Sequence, residues 1–292
     1  MELWFWVVIV SAICAGVSNF YFKQAAARGY SAELFSFYGG IFSVLGIGSL
    51  VLVFNAPTQG FGIYGLFAFL AGAIAGLTNI FKILALRFID STIYFPLYKL
   101  LAPAIAIVVG VTYFGERFTA LEWVGMALGL LVPLILITPS EKTRQNNIFL
   151  GLVLIALTAA TSASSAVLNK LATDAALPLL TVLLFASFGV VAGSGSATIR
   201  KLGFSRFIQE IKLSTSVGLM RGAVLRAFLI SLSLAGTLYA FANGGTLAVV
   251  QTIHSMYILI PIVLAIIFYN EHWNWHKALA IGLSVVSLAF LG

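Results

Sequence analysis

The chain predicts an all-α integral membrane fold of ten transmembrane helices, arranged as two inverted five-helix repeats. Three observations lead there. The chain is oil-like: 61% of its 292 residues are hydrophobic, 9% are charged, and mean hydropathy is +1.07. Apolar runs of about twenty residues recur along its whole length, and each can cross a roughly 30 Å hydrocarbon core as a helix. The two halves also carry weakly similar motifs in the same order, about 150 residues apart.

Taken in order, the predicted helices are 3–27, 33–54, 62–86, 92–113, 119–138, 148–172, 178–199, 215–240, 246–269 and 273–291. The first has no basic segment before it and no small-residue cleavage site after it, so it reads as a span and not as a cleaved signal. Turn chemistry separates the runs at Arg28 to Tyr30, Asn55 to Pro57, Asp90 and Ser91, Gly115 to Arg117, and Asn243 to Gly245. The longest polar stretch of the first half, 139–147, divides a first repeat (1–138) from a second (148–292). Five spans per half is an odd number, so the second half enters the membrane in the opposite sense. Carriers built this way hold their site near midplane, between the repeats. Pairs of small residues four apart allow close helix approach: Gly72/Gly76, Gly125/Gly129, Gly189/Gly193 and Gly218/Gly222. Pro96, Pro103, Pro133 and Pro261 fall inside spans, where each removes an N–H and kinks its helix.

Composition excludes several function classes. No hydrophilic block is long enough for a soluble domain. The one cysteine, Cys14, allows no intramolecular disulfide and no thiolate metal site. The net charge of +7 reports topology and cargo rather than nucleic acid, because no soluble surface exists to carry a nucleic-acid site. No catalytic motif and no paired intramembrane carboxylates occur, so no enzyme and no cofactor is expected. His254, His272 and His276 lie at depths too different for a shared metal.

The first span ends in Ser18, Asn19 and Lys23, and the sixth in Asn169 and Lys170; spans four and nine run into aromatic-X-Glu signatures at Phe114 to Glu116 and Tyr269 to Glu271. In order and spacing these motifs resemble the drug/metabolite transporter superfamily, EamA-type, over essentially the whole chain. The resemblance implies a ten-helix basket with a central cavity and alternating access. It leaves the cargo open, because the superfamily spans amino-acid exporters, sugar-phosphate exchangers and nucleotide-sugar carriers.

Buried cations narrow the cargo. Lys82, Lys99, Arg221, Arg226 and His254 fall inside predicted spans, and all nine Asp and Glu fall near helix ends or in loops. A charge at the bilayer centre costs roughly 2.5–3.5 kcal/mol on the mildest scale, so such residues usually face a bundle interior. Lys99 and His254 lie near midplane and are 155 residues apart, the same offset as Glu116 and Glu271. Thr92, Pro96, Lys99 and Pro103 share a helical face, as do Thr78 with Lys82, Gln251 with His254 and Tyr257, and Arg226 with Ser233 and Thr237. Arg221 stands about 140° round the helix from Arg226, so both cannot point fully inward; snorkelling to the headgroups is its alternative. The candidate substrate-binding set is therefore Lys82, Lys99, Arg226, His254, Arg221, Tyr98, Gln251, Tyr257 and Asn79. Asn19, Asn79 and Asn169 also read as interhelical glue, Tyr94 as lining or packing, and Glu116 and Glu271 as caps or gates.

Topology follows from the loops. The N-terminal side carries Arg117 and Lys170. The opposite side carries Lys23, Arg28, Arg87, Lys142, Arg144, Arg200, Lys201, Arg206, Lys212 and Lys277. The bias places that second side in the cytoplasm and both termini outside, whereas the family resemblance implies termini inside. Residues 203–212 put Phe204, Phe207, Ile208 and Ile211 on one face, as an interfacial helix on an anionic leaflet does. The expectation is a multi-pass carrier of the bacterial inner membrane, with the bilayer and a small anionic metabolite, phosphorylated or carboxylated, as partners. A monomer suffices. Exchange is the expected mechanism, because His254 is the only deep group whose ordinary pKa lies near neutrality. The alternatives are an exporter of neutral or zwitterionic amino acids and a flippase for a lipid-linked phosphate.

Overall fold

The structure is a computed structural model that describes residues 2–55, 62–136, 147–174, 177–213, 216–260 and 275–292. Those residues are all-helical, with no strand among them. The helices are α1 (Leu3–Ala27), α2 (Ala32–Val53), α3 (Ile63–Phe88), α4 (Ser91–Thr112), α5 (Ala120–Ile135), α6 (Ile148–Thr173), α7 (Leu179–Leu202), α8 (Phe204–Leu213), α9 (Val217–Ala242), α10 (Leu247–Ser255) and α11 (Trp275–Leu291). Seven of them (α1 to α4, α6, α7 and α9) are long and apolar enough to cross a membrane. The helices α5, α10 and α11 are apolar but shorter among the described residues.

Starts and stops follow local chemistry. Ser31, Thr119, Asn147, Ser216 and Thr246 each accept a backbone N–H from the first turn of the helix they precede, meeting one orphan donor apiece. Thr119 completes a capping box with Glu122. Pro96, Pro103 and Pro133 lie inside helices, as expected.

One departure from the sequence reading stands out. The ninth predicted span is not one continuous α-helix: α10 ends at Ser255 and tightens into a 3₁₀ turn at Met256–Ile258. The segment between α7 and α9 forms the short helix α8 where a helix over 203–212 was expected, with Phe207 buried and Phe204 and Ile208 exposed. Pro261, the motif ending at Glu271, His272 and positions 139–146 lie outside the described residues.

Small residues set the packing. At the crossing of α3 and α7, a Cβ at Gly72 would fall 1.8 Å from the Ala186 carbonyl oxygen, one at Gly189 2.0 Å from that of Phe69, and one at Gly193 2.2 Å from that of Ala73. Backbone meets backbone there, as the pairs of small residues require. Further packed pairs are α3 with α6, α1 with α9, α2 with α7 and with α9, α4 with α6 and with α10, and α5 with α11. Apolar clusters lie at the two ends of the bundle. Phe5, Val8, Phe241 and Leu247 gather near the start of α1; Phe22, Phe35, Tyr38, Ile83 and Phe207 gather towards its finish.

A central cationic cavity

Between these clusters lies a cavity of about 210 Å³, lined from α1, α2, α3, α4, α6, α7, α9 and α10 and the turn after it. Its wall contains Lys82, Lys99, Arg226 and His254, together with Tyr98, Gln251, Tyr257 and Asn79. The structure thus brings together eight of the nine residues proposed from sequence. Arg221 is the exception and a correction: it is exposed on the outer face of α9 and does not line the cavity. The helical pitch explains this, because turning Arg226 inward swings Arg221 away.

The cations are held by aromatic faces and carbonyls. The Lys99 ammonium, 5% exposed, donates to the His254 carbonyl at 3.0 Å and stands 3.5 Å from the Tyr257 ring centre. Lys82 sits over the rings of Tyr98 (4.8 Å) and Phe22 (5.4 Å). The Arg226 guanidinium lies 4.2 Å from the Phe22 ring centre. Such faces attract a cation through the ring quadrupole without neutralising it. Arg226 is 2% exposed, and its Nε has no hydrogen-bond partner. No Asp or Glu appears among the described residues lining the cavity.

His254 is held by a compact network. Its Nε2 lies 3.1 Å from Ser11 Oγ and 3.3 Å from Thr237 Oγ1. Both hydroxyls donate to the Ser233 carbonyl, at 2.6 and 2.9 Å. Both hydroxyls thus tie the imidazole edge to the backbone of α9. Ser11 was not singled out by sequence; a serine in an apolar helix gives no local signal for a partner over two hundred residues away.

Asn19 and Asn169 also line the cavity, and the carboxamide oxygen of each is buried without a partner. Their equivalent placement at the ends of the first and sixth spans was the available signal. Tyr94 packs instead: it is fully buried and stacked on Tyr98 at 5.9 Å.

Glu116 acts as a cap. Its carboxylate accepts from the backbone N–H of Leu247 (2.6 Å) and of Ala248 (3.1 Å) at the start of α10, and pairs with Lys170 of α6. A negative charge at a helix N-terminus is favoured by the helix dipole. A Cβ at Gly110 would fall 2.3 Å from the Glu116 carboxylate, so the glycine makes room for the cap. Lys201 and Glu33 form a second ion pair at 2.6 Å, between the end of α7 and the start of α2.

Comparison with known proteins places the fold and nothing further. No protein-family model matches the chain, and no curated protein sequence matches it. A protein crystal structure superimposes on it with a TM-score of 0.72 at 14% identity, covering 98% of this chain and 96% of the other.

Proposed function

We propose that the protein is a secondary transporter moving a small phosphorylated or carboxylated metabolite by alternating access, with exchange of one anion for another. The observation that carries this reading is the cavity wall: two buried cations, Lys99 and Arg226, a half-buried third, Lys82, and a histidine, with no carboxylate lining it among the described residues. An entering anion would exchange its water for Arg and Lys donors, Arg gripping in a bidentate manner and Lys acting as a point charge. An empty cationic cavity resists crossing a bilayer, and a bound anion relieves that resistance.

The reading includes ten spans in two inverted repeats and membership of the drug/metabolite transporter superfamily, EamA-type. Helix pairing supports the repeat. Matching α1 to α5 with α6, α7, α9, α10 and α11 converts the pair α3·α7 into α9·α2, α3·α6 into α9·α1 and α4·α6 into α10·α1, and all of these pairs are packed. The pairs α4·α10 and α5·α11 map onto themselves. The loop charges favour both termini outside the cytoplasm of a bacterial cell.

The test is a screen of purified protein for thermal stabilisation by organic phosphates, carboxylates, amino acids and neutral sugars. A ligand that binds the native state alone raises the melting temperature as its concentration passes Kd. Stabilisation by anions, weakened in Lys99→Ala and Arg226→Ala, is the expected result. Stabilisation by neutral compounds alone, unchanged in both variants, would return the site to a neutral cargo.

A further inference from the structure

The cavity holds unmet acceptors as well as cations. Asn19 is 3% exposed and Asn169 is 7% exposed, and the Oδ1 of each has no hydrogen-bond partner. The Asn19 amide nitrogen donates one hydrogen to the Ala15 carbonyl at 2.6 Å, which fixes the orientation of the amide and leaves its oxygen without a partner. Asn19 lies one turn before Phe22 on α1, and the Arg226 guanidinium rests on the Phe22 ring. The two residues also occur at similar depth, each about 12–14 Å along its helix from the same end of the bundle. Arg226 Nε is itself a buried donor without a partner. One region of the wall therefore presents a donor bearing positive charge next to a neutral acceptor, both desolvated.

A bare anion satisfies only the first of these. Sulfate or an ionised, unsubstituted carboxylate offers lone pairs to Arg226 and nothing to Asn19, and a buried acceptor left unpaired weakens binding. We infer that the cargo carries, besides its negative group, at least one O–H or N–H hydrogen that donates to Asn19 Oδ1 while Arg226 holds the anion. Asn169 offers a second acceptor on α6, available to a larger polyhydroxylated or ammonium-bearing body. This inference rests on the anionic reading of the cavity and narrows it to hydroxylated or zwitterionic organic anions.

The test uses near-isosteric probes on the purified full chain, at a pH about two units above the phosphate monoester's second pKa of about 6 so that ethyl phosphate bears no donor: ethyl phosphate, 2-hydroxyethyl phosphate and 2-aminoethyl phosphate, with succinate against malate. Affinities are read from ligand-dependent melting shifts. The members bearing a donor are expected to bind at least about tenfold tighter than their donor-free partners. In Asn19→Leu the difference is expected to shrink below about threefold. Equal affinity within each pair for the wild-type chain overturns the inference and leaves the anion site standing. That comparison needs no variant, so it holds if Asn19→Leu fails to fold. Full discrimination retained in a folded Asn19→Leu protein also overturns it. Ethylene glycol or ethanolamine binding as tightly as the phosphates sinks the anionic reading instead.

Discussion

At the scale of single residues, Arg226 sets function against stability. A buried cation without a carboxylate loses its hydration and regains only part of it from the Phe22 ring. Arg226→Met is therefore expected to melt no lower than the native chain while losing stabilisation by anions. A melting temperature depressed by more than the equivalent of about 1 kcal/mol would mean that the guanidinium is better paired than the cavity geometry indicates. Lys99 behaves differently because it donates to the His254 carbonyl. Lys99→Ala and Arg226→Ala should each weaken anion binding by about 1.5–3 kcal/mol, the scale of a charged hydrogen bond. Unchanged affinity in both would remove these cations from the site. Depth was legible in the sequence for Lys99, His254 and Arg226, because a charge inside an apolar run must face inward or snorkel. The Arg221 side chain does not face inward: it is exposed, and the helical pitch had already marked that conflict. Partners such as Ser11 were not legible, since short polar side chains cost little in a helix and can meet anything across the bundle.

Among the elements, the start of α10 is held by a carboxylate from a loop far away in sequence. Glu116 meets two of its backbone donors and the Lys170 ammonium together. Glu116→Ala leaves both helix donors and a largely buried lysine unpaired, so a loss of about 3 kcal/mol in unfolding stability is expected. Adding Lys170→Met should recover part of that loss in a denaturation series. No effect of Glu116→Ala would mean that water replaces the carboxylate without cost. The sequence placed Glu116 at a helix end as a cap or gate, and the cap is what the geometry contains. It did not identify α10 as the recipient, because the partners are 131 residues apart and capping patterns are read locally. The 3₁₀ turn after Ser255 was equally hidden: hydropathy continues unbroken through Tyr257 and reports burial, not helix pitch.

For the whole molecule, the long helices were the most legible feature, since lipid admits few alternatives to a continuous apolar helix. Their ends agree with expectation to within a few residues: α1 spans Leu3–Ala27 and α6 spans Ile148–Thr173. The pairing of those helices was not legible from hydropathy, because glycines at a crossing look the same as glycines facing lipid. Orientation is open to a direct measurement. A reporter active only in the cytoplasm, fused after Gly292, is expected to be silent; strong activity would reverse the topology. Coupling is tested in vesicles. Proteoliposomes preloaded with cargo should take up labelled cargo far faster than empty ones, with or without a pH gradient. Uptake into empty vesicles that is driven by a pH gradient and lost in His254→Ala would make His254 a proton site.

The bare seam between α3 and α7 has a consequence for how this chain tolerates change. Every replacement of a glycine adds at least one carbon, and at Gly72, Gly189 and Gly193 that carbon would fall within 2.2 Å of a carbonyl oxygen on the facing helix. At Gly46, Gly48 and Gly282 it would meet nothing within 4 Å. A saturation library scored for surviving protein should therefore be dark across three glycine columns and pale across the other three. To a hydropathy plot all six look alike; what separates them is who stands opposite. Variation in natural populations would be filtered in the same way, so even an alanine at the seam is a drastic change for a helix whose neighbour has no side chain to move aside.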